Sequence, residues 1–309
     1  MLVAVVCIAA VVLDALLAEL RRGHPLVAFG ALADRAEARW NRAGAGVGAG
    51  VLAASVVLLP PVGLAGLAHW WLPTPWDLVL DVVVLYLALG LRSLAQHAGA
   101  VAAPLAAGDL AAARTAVAGL VSRDTERLDT AGVAGATTES VLENGADAVF
   151  ATLFWYAVAG LPGVVLHRLA NTLDAMWGYR TPRYQDFGRF AARLDDALNW
   201  IPARLTAVTY ALSGQAQNAL RCWAAQGGAW GSPNAGPVMA AGAGALGVTL
   251  GGPAPYHGGW RERPWLGSGP DAGAETVAAA ITLVRRGVVA WLIIMALGGL
   301  AWSLTTAGA

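Results

Sequence analysis

The stretch GVVAWLIIMALGGLAWSL, residues 287–304, runs for 18 positions without a charged side chain. As a helix it would extend about 27 Å, close to the thickness of a bilayer's hydrocarbon core. A helix on the surface of a soluble domain keeps a polar face, and this one has none. The stretch VGAGVLAASVVLLPPVGLAGLAHWW, residues 47–71, reads the same way, and Pro60-Pro61 predict a bend in it. Working outward, the apolar runs are Met1–Leu20 with Asp14 inside it, Trp76–Ala95 with Asp77 and Asp81 near its start, and Ala146–Leu169, interrupted by Gly160 and Pro162-Gly163. Leu198–Ser213 is a weaker run carrying Arg204. Over the whole chain 57% of residues are hydrophobic and 13% charged, where a soluble domain carries about 25% charged. The fold class is therefore all-α: a polytopic integral membrane protein with four to six membrane helices, at least one broken or re-entrant, plus cytoplasmic helical loops. We read residues 1–309 as one membrane-embedded domain.

Arginine placement orients the chain. The link Leu72–Pro75 has no charge and fits the outside, whereas Arg21–Gly46 carries five arginines and fits the cytoplasm. The N-terminus is then outside and Gln96–Gly145 inside. No positive residue precedes the first run and Arg21-Arg22 follow it, unlike a secretory signal. If both Ala146–Leu169 and Leu198–Ser213 crossed, the five arginines of His167–Ala197 would face outward. A re-entrant or cavity-lining hairpin for Ala146–Leu169 avoids this, because broken helices occur where they line a watery, protein-walled cavity. In the remaining segments we expect a helix over Leu110–Val121 after an Asp109 cap, one over Thr138–Phe150 after a Thr137 cap, and a small-residue helix at Val238–Leu246 within a Gly- and Pro-rich loop spanning Gly227–Pro270. Strand signals are weak.

Every basic side chain is arginine. The absence of lysine excludes a P-loop and Schiff-base chemistry, so any phosphate must be held by arginine, backbone amides or a metal. The two cysteines, Cys7 and Cys222, form no metal or redox spacing. Zero net charge argues against nucleic acid as a partner.

Three clusters could carry chemistry. Ser122-Arg123-Asp124-Thr125 opens a polar loop, and Glu139, Glu143 and Asp147 follow at helical spacing with Asn144 beside them. Like charges four apart oppose one another, so this stripe asks for arginine or Mg²⁺ as partner, unless it is a solvated face. The second runs from Asn171 and Asp174 through Tyr179-Arg180 and Arg183-Tyr184 to Arg189. Forked arginines among aromatics suit an anionic ligand, and equally suit a belt at the lipid headgroups. The third is Asp195-Asp196, Asn199 and Arg204. Charges entering an apolar run serve function or pair with each other to fix helix packing.

In order, these motifs resemble the CobD/CbiB family of membrane-bound adenosylcobinamide-phosphate synthases. The resemblance covers nearly the whole chain: Leu13-Asp14, His24-Pro25, Ser122-Arg123-Asp124-Thr125, Glu139 through Asn144, Asn171 through Asp174, Gly178-Tyr179-Arg180, Arg183-Tyr184, Phe187-Gly188, Asp195-Asp196, Asn199, Pro202 through Leu205, Ser232 through Gly236, Leu250-Gly251-Gly252 and Tyr256-His257-Gly258. Two local departures, Ala18-Glu19-Leu20 and Thr152, remove no charged motif residue. A membrane family of AmpE-like type is a distant relative, so a non-catalytic sensor and a transporter stand as alternatives.

The resemblance implies amide synthesis in cobalamin biosynthesis. A propionate of adenosylcobyric acid would be joined to aminopropanol or its phosphate, with ATP and Mg²⁺ as cofactors. The partners would be that corrinoid, the amine and the lipid bilayer of the inner membrane, with the active site facing the cytoplasm and a homo-oligomer allowed. Glu139 and Glu143 would hold the metal, with Glu143, Asp147 and Asn144 as the catalytic set. Asp147 would take the amine proton. Arg123 and Asp124 would meet phosphate, and Arg180, Arg183 and Arg189 would form an anion wall with Tyr179 and Tyr184 packed on the ligand. Asn171, Asp174, Asp195, Asp196, Asn199, Arg204, Ser232 and Asn234 complete the expected binding set, with one of the two aspartates paired to Arg204.

Overall fold

The computed structural model describes residues 1–17, 23–42, 44–256 and 258–307. Motif residues Ala18 through Arg22 and His257 lie outside the described residues.

The elements follow the apolar pattern closely. They are α1 (Leu2–Leu16), α2 (Pro25–Trp40), α3 (Val47–Trp71), α4 (Trp76–Ala88), α5 (Leu91–Ala106), α6 (Leu110–Val117), α7 (Thr130–Gly145), a π-helical turn (Ala146–Phe150), α8 (Ala151–Trp177), α9 (Arg189–Ser213), α10 (Ala216–Gln226), α11 (Ala235–Leu246) and α12 (Ala274–Ala307). Four helical stretches among the described residues are long and apolar enough to cross a membrane: Val47–Trp71, Trp76–Ala106, Thr130–Trp177 and Ala274–Thr306. This is the all-α, multi-span fold expected. α1 is a shorter apolar helix of 15 residues, and α9, which contains the weak fifth run, is not among the four. Trp70, Trp71, Trp76 and Trp302 are exposed at the ends of apolar helices, where an indole suits the lipid–water boundary.

Two of these expectations hold and two shift. Asp109 caps α6 as expected, accepting from the Ala112 amide at 2.9 Å. The next long helix starts at Thr130 on an Asp129 cap, not after Thr137, whose hydroxyl instead donates to the Val133 carbonyl inside the helix. The break in α8 falls at Gly160, as expected, with φ +59°, two residues before Pro162. Proline lacks the amide that would continue the helix, and glycine alone enters that backbone region without strain. The loop Gly227–Pro270 also holds short strands: β1 (Thr249–Gly251) pairs antiparallel with β4 (Trp265–Gly267), and β2 (Ala254–Tyr256) with β3 (Gly259–Arg261).

The chain divides into two units. The first comprises Met1–Gly90, Ala151–Asn199 and Ile294–Ala309; the second comprises Leu91–Phe150 and Trp200–Ile293. In the first, Ala33 and Ala36 of α2 meet Ala53, Ala54 and Val57 of α3 in a core closed by Leu173, Trp177 and Phe187. Small residues let these helices approach closely. Gly50 is required there, since a Cβ would come within 1.9 Å of the Phe187 carbonyl oxygen. Asp81 is buried in the same unit, receiving the Tyr156 hydroxyl at 2.8 Å and lying 3.0 Å from His69 Nδ1. In the second unit, α10 and α11 pack together, β1 and β4 lie against α11, and α7 packs against α5, α6 and β1.

Candidate functional site

α7 carries the first acidic cluster into the second unit. Glu139 is 4% exposed. Its Oε1 accepts from the Gly251 amide at 3.0 Å and from Arg263 Nη2 at 3.2 Å. Its Oε2 accepts from Arg263 Nη1 at 2.9 Å and from Arg123 Nη2. Arg263 also donates to the Gly252 carbonyl and stacks over Trp230, 5.1 Å from the ring centroid. Burial alone would lower the basicity of Arg263, but the Glu139 carboxylate outweighs it and raises it. A buried carboxylate is thus held between two guanidiniums, leaving one net positive charge.

Beside this cluster opens a cavity of about 240 Å³, lined by Ser122 and Arg123 from the loop after α6, by Glu139, Ser140, Glu143 and Asn144 of α7, and by Trp230, Tyr256 and Arg263. Glu143 has no hydrogen-bond or ion-pair partner among the described residues, and it faces the surplus positive charge. Asn144 Nδ2 donates to the Ser140 carbonyl and hydroxyl, which leaves its oxygen available to the cavity.

Several expected roles do not match this geometry. Glu139 was expected as a metal ligand, but its acceptor positions are taken by four N–H donors from three residues. Among the described residues no group of three or more His, Cys, Asp or Glu could hold a metal ion. Mg²⁺ commonly needs only one or two protein carboxylates when substrate phosphates supply the rest. Glu143 fits that single role and Glu139 does not. Asp147 does not line the cavity. It sits in the π turn, where an extra residue per turn re-registers the face. Asp124 is likewise outside the cavity lining; its amide donates to the Pro255 carbonyl.

The first unit gathers the expected residues from Asn171 to Asn199. Asp195 Oδ1 accepts from Asn199 at 3.0 Å and from Asn171 at 3.3 Å, and Asn199 Oδ1 lies 2.9 Å from His167 Nε2. His167 is fully buried, and its Nδ1 has no partner among the described residues. Burial pushes the Asp195 carboxyl up to about 6, with the Asp174 charge adding to the effect and the two asparagine bonds opposing it. Burial also raises Asp196, against the pull of Arg180. Tyr179 and Tyr184 stand with ring centroids 6.5 Å apart. Arg183 departs from the expected anion wall: its fork is occupied by Glu37 of α2, at 2.8 and 2.9 Å. Arg189 pairs with Asp186.

Arg204 does not make the expected carboxylate pair. It donates to Asn234 Oδ1 at 2.8 Å and to the Pro233 carbonyl at 3.0 Å, and stacks over Trp200. Ser232 Oγ accepts from the amides of Asn234 and Ala235. Ser232 and Asn234 therefore shape the start of α11. Sequence reasoning missed Arg263, Trp230, Glu37 and His167. The signal for Arg263 was available: Arg261-Glu262-Arg263 is a charged island in the Gly- and Pro-rich loop.

Comparison with known proteins adds a separate line of support. The profile of a family described as CobD/Cbib protein matches residues 7–284. A cobalamin biosynthesis protein CobD of Stutzerimonas stutzeri (strain A1501) is 58% identical over 295 residues, 94% of this chain and 96% of the relative. A protein of the same name from Chromobacterium violaceum is 56% identical over 293 residues, covering 91% and 92% of the two chains. One from Mycobacterium tuberculosis (strain H37Rv) is 40% identical over 279 residues, 88% of each chain. No solved structure matches.

Proposed function

Because this chain belongs to the CobD/CbiB family and so takes part in cobalamin biosynthesis, we propose that it is an ATP-dependent amide synthetase, joining a propionate of adenosylcobyric acid to aminopropanol or aminopropanol phosphate. The observation that supports this reading most directly is the convergence on one cavity of two clamped arginines, an unpaired Glu143 and the Asn144 amide.

A carboxylate is a poor acyl donor, being anionic and resonance-stabilised. Transfer of the γ-phosphoryl group to a propionate oxygen releases ADP and gives an acyl phosphate. Attack by the amine nitrogen on the acyl carbon then expels phosphate as the amine loses its proton. Arg123 and Arg263, fixed by Glu139, offer positive charge to the phosphates without having to reorganise. Bound Mg²⁺ would supply charge neutralisation on the transferring group, with Glu143 as its protein ligand. Asn144 would orient the reacting carboxylate. In this reading the propionate arm enters this cavity of about 240 Å³. On the same reading the enzyme lies in the inner membrane with the cavity on the cytoplasmic side, since the segment 107–129, which brings Arg123 to the cavity, follows the uncharged outer link by one span.

The test is to incubate the purified protein with adenosylcobyric acid, aminopropanol phosphate and MgATP, and to follow corrinoid mass and ADP together. One ADP per amide formed is expected. A corrinoid of unchanged mass, with no ADP released, would refute the enzyme and favour a transporter or sensor.

A further inference from the structure

The wall made by Arg123, Glu139 and Arg263 has a second side. There a separate cavity of about 290 Å³ opens in the same unit, and both guanidiniums line it as well. Its character differs from the first. Two indoles, Trp260 and Trp265, stand at its edge and are 58% and 59% exposed. Arg127 lies over Trp260 at 5.5 Å. The Trp265 ring rests on Gly252, where an added Cβ would come within 2.4 Å of it. The floor on α7 is bare: Gly135 lines the cavity, and a Cβ built there would meet nothing within 4 Å. Asp129 and Asp271 supply acceptors at the rim.

We infer that this second cavity is the base and ribose subsite of a nucleoside triphosphate. This rests on the ATP-dependent reading above. A flat heterocycle matches exposed indoles and a glycine floor, because stacking needs a face rather than a specific edge. Ribose hydroxyls and ring amino groups are donors, and the two rim carboxylates accept. The polyphosphate follows the shared wall, where arginine forks suit phosphate oxygens, and its terminal phosphoryl reaches the cavity holding Glu143 and Asn144. The ionic wall thus separates nucleoside recognition from the acyl chemistry while contributing to both.

The variant Gly135→Leu tests this by filling the cavity from a helical position with open space around it. Binding of ATP, of inorganic tripolyphosphate and of adenosylcobyric acid is measured on the full-length protein in nanodiscs. Gly135→Leu and Trp260→Ala should each weaken ATP at least about fivefold, as the loss of a stacked base implies, while tripolyphosphate and corrinoid bind as before. Trp260→Phe should restore most of the ATP affinity. If both first variants fold and bind ATP like the wild type, or if they weaken the corrinoid instead, the subsite is refuted while the amide-synthetase reading stands. Failure of the wild type to bind ATP overturns both.

Discussion

Glu139 lies between two arginines, and that arrangement predicts an asymmetry between its substitution and theirs. Arg123 Nη2 and Arg263 Nη1 bond to the same carboxylate oxygen, which keeps the two nitrogens within about 5 Å of each other. At an effective dielectric constant of ~20, two positive charges at that distance repel by about 3 kcal/mol. Glu139→Gln removes the charge that offsets this repulsion and keeps the shape, leaving two buried guanidiniums together. Breaking a buried ion pair from one side costs about 3–5 kcal/mol. Arg263→Gln should cost clearly less, because the Arg123–Glu139 pair remains neutral. In the double variant Arg123 stands alone, its repulsion gone, so the second substitution should recover part of the loss from the first. The assay is denaturant- or heat-induced unfolding of the purified protein in one detergent, run as a double-mutant cycle. The expected order of stability is wild type, Arg263→Gln, then Glu139→Gln, with a coupling energy above about 1 kcal/mol. Additivity within about 0.5 kcal/mol, the behaviour of independent sites, would refute the clamp, as would an Arg263→Gln variant less stable than Glu139→Gln.

Glu143→Gln should abolish ADP release with little change in corrinoid binding, whereas Asp147→Asn, outside the cavity lining, should leave both ADP release and amide yield near wild type; parallel ADP and mass assays decide, and a selective loss of amide in Asp147→Asn would return that residue to the site. Asp195 has its folded-state pKa raised to about 6 from 3.8. The native state therefore binds more protons than the unfolded chain between those values, so stability falls as pH rises from about 4 to about 6. Asp195→Asn should flatten that part of a stability–pH profile and leave the variant more stable above pH 6 by about 3 kcal/mol at most; an unchanged slope would contradict the burial argument. Arg183 and Glu37 tie the turn before α9 to α2, so Arg183→Ala, Glu37→Ala and the double variant should shift the melting temperature by similar amounts. A further drop in the double variant would count against the tie.

The apolar runs alone determined that this is a multi-span helical membrane protein. Whether a helix can cross a bilayer depends on its own length and side chains, so each run, GVVAWLIIMALGGLAWSL among them, can be read by itself. The Asp109 cap and the break near Pro162 were legible for the same reason, since each acts within one turn of helix. The cluster around Glu139, Glu143 and Asn144 was visible as a group, because the spacing of α7 sets it. What Glu139 does was not visible. A carboxylate looks the same in sequence whether it will meet a metal or an arginine, and its bidentate partner Arg263 lies 124 residues away. The same holds for Arg183, whose fork looked open to ligand until the fold brought Glu37 from 146 residues away. Asp147 followed the stripe by counting, but the π turn over Ala146–Phe150 changed the count, and nothing in the local spacing announced that turn. Local chemistry decides which residues are present on a face; only chain closure decides which charges they meet there.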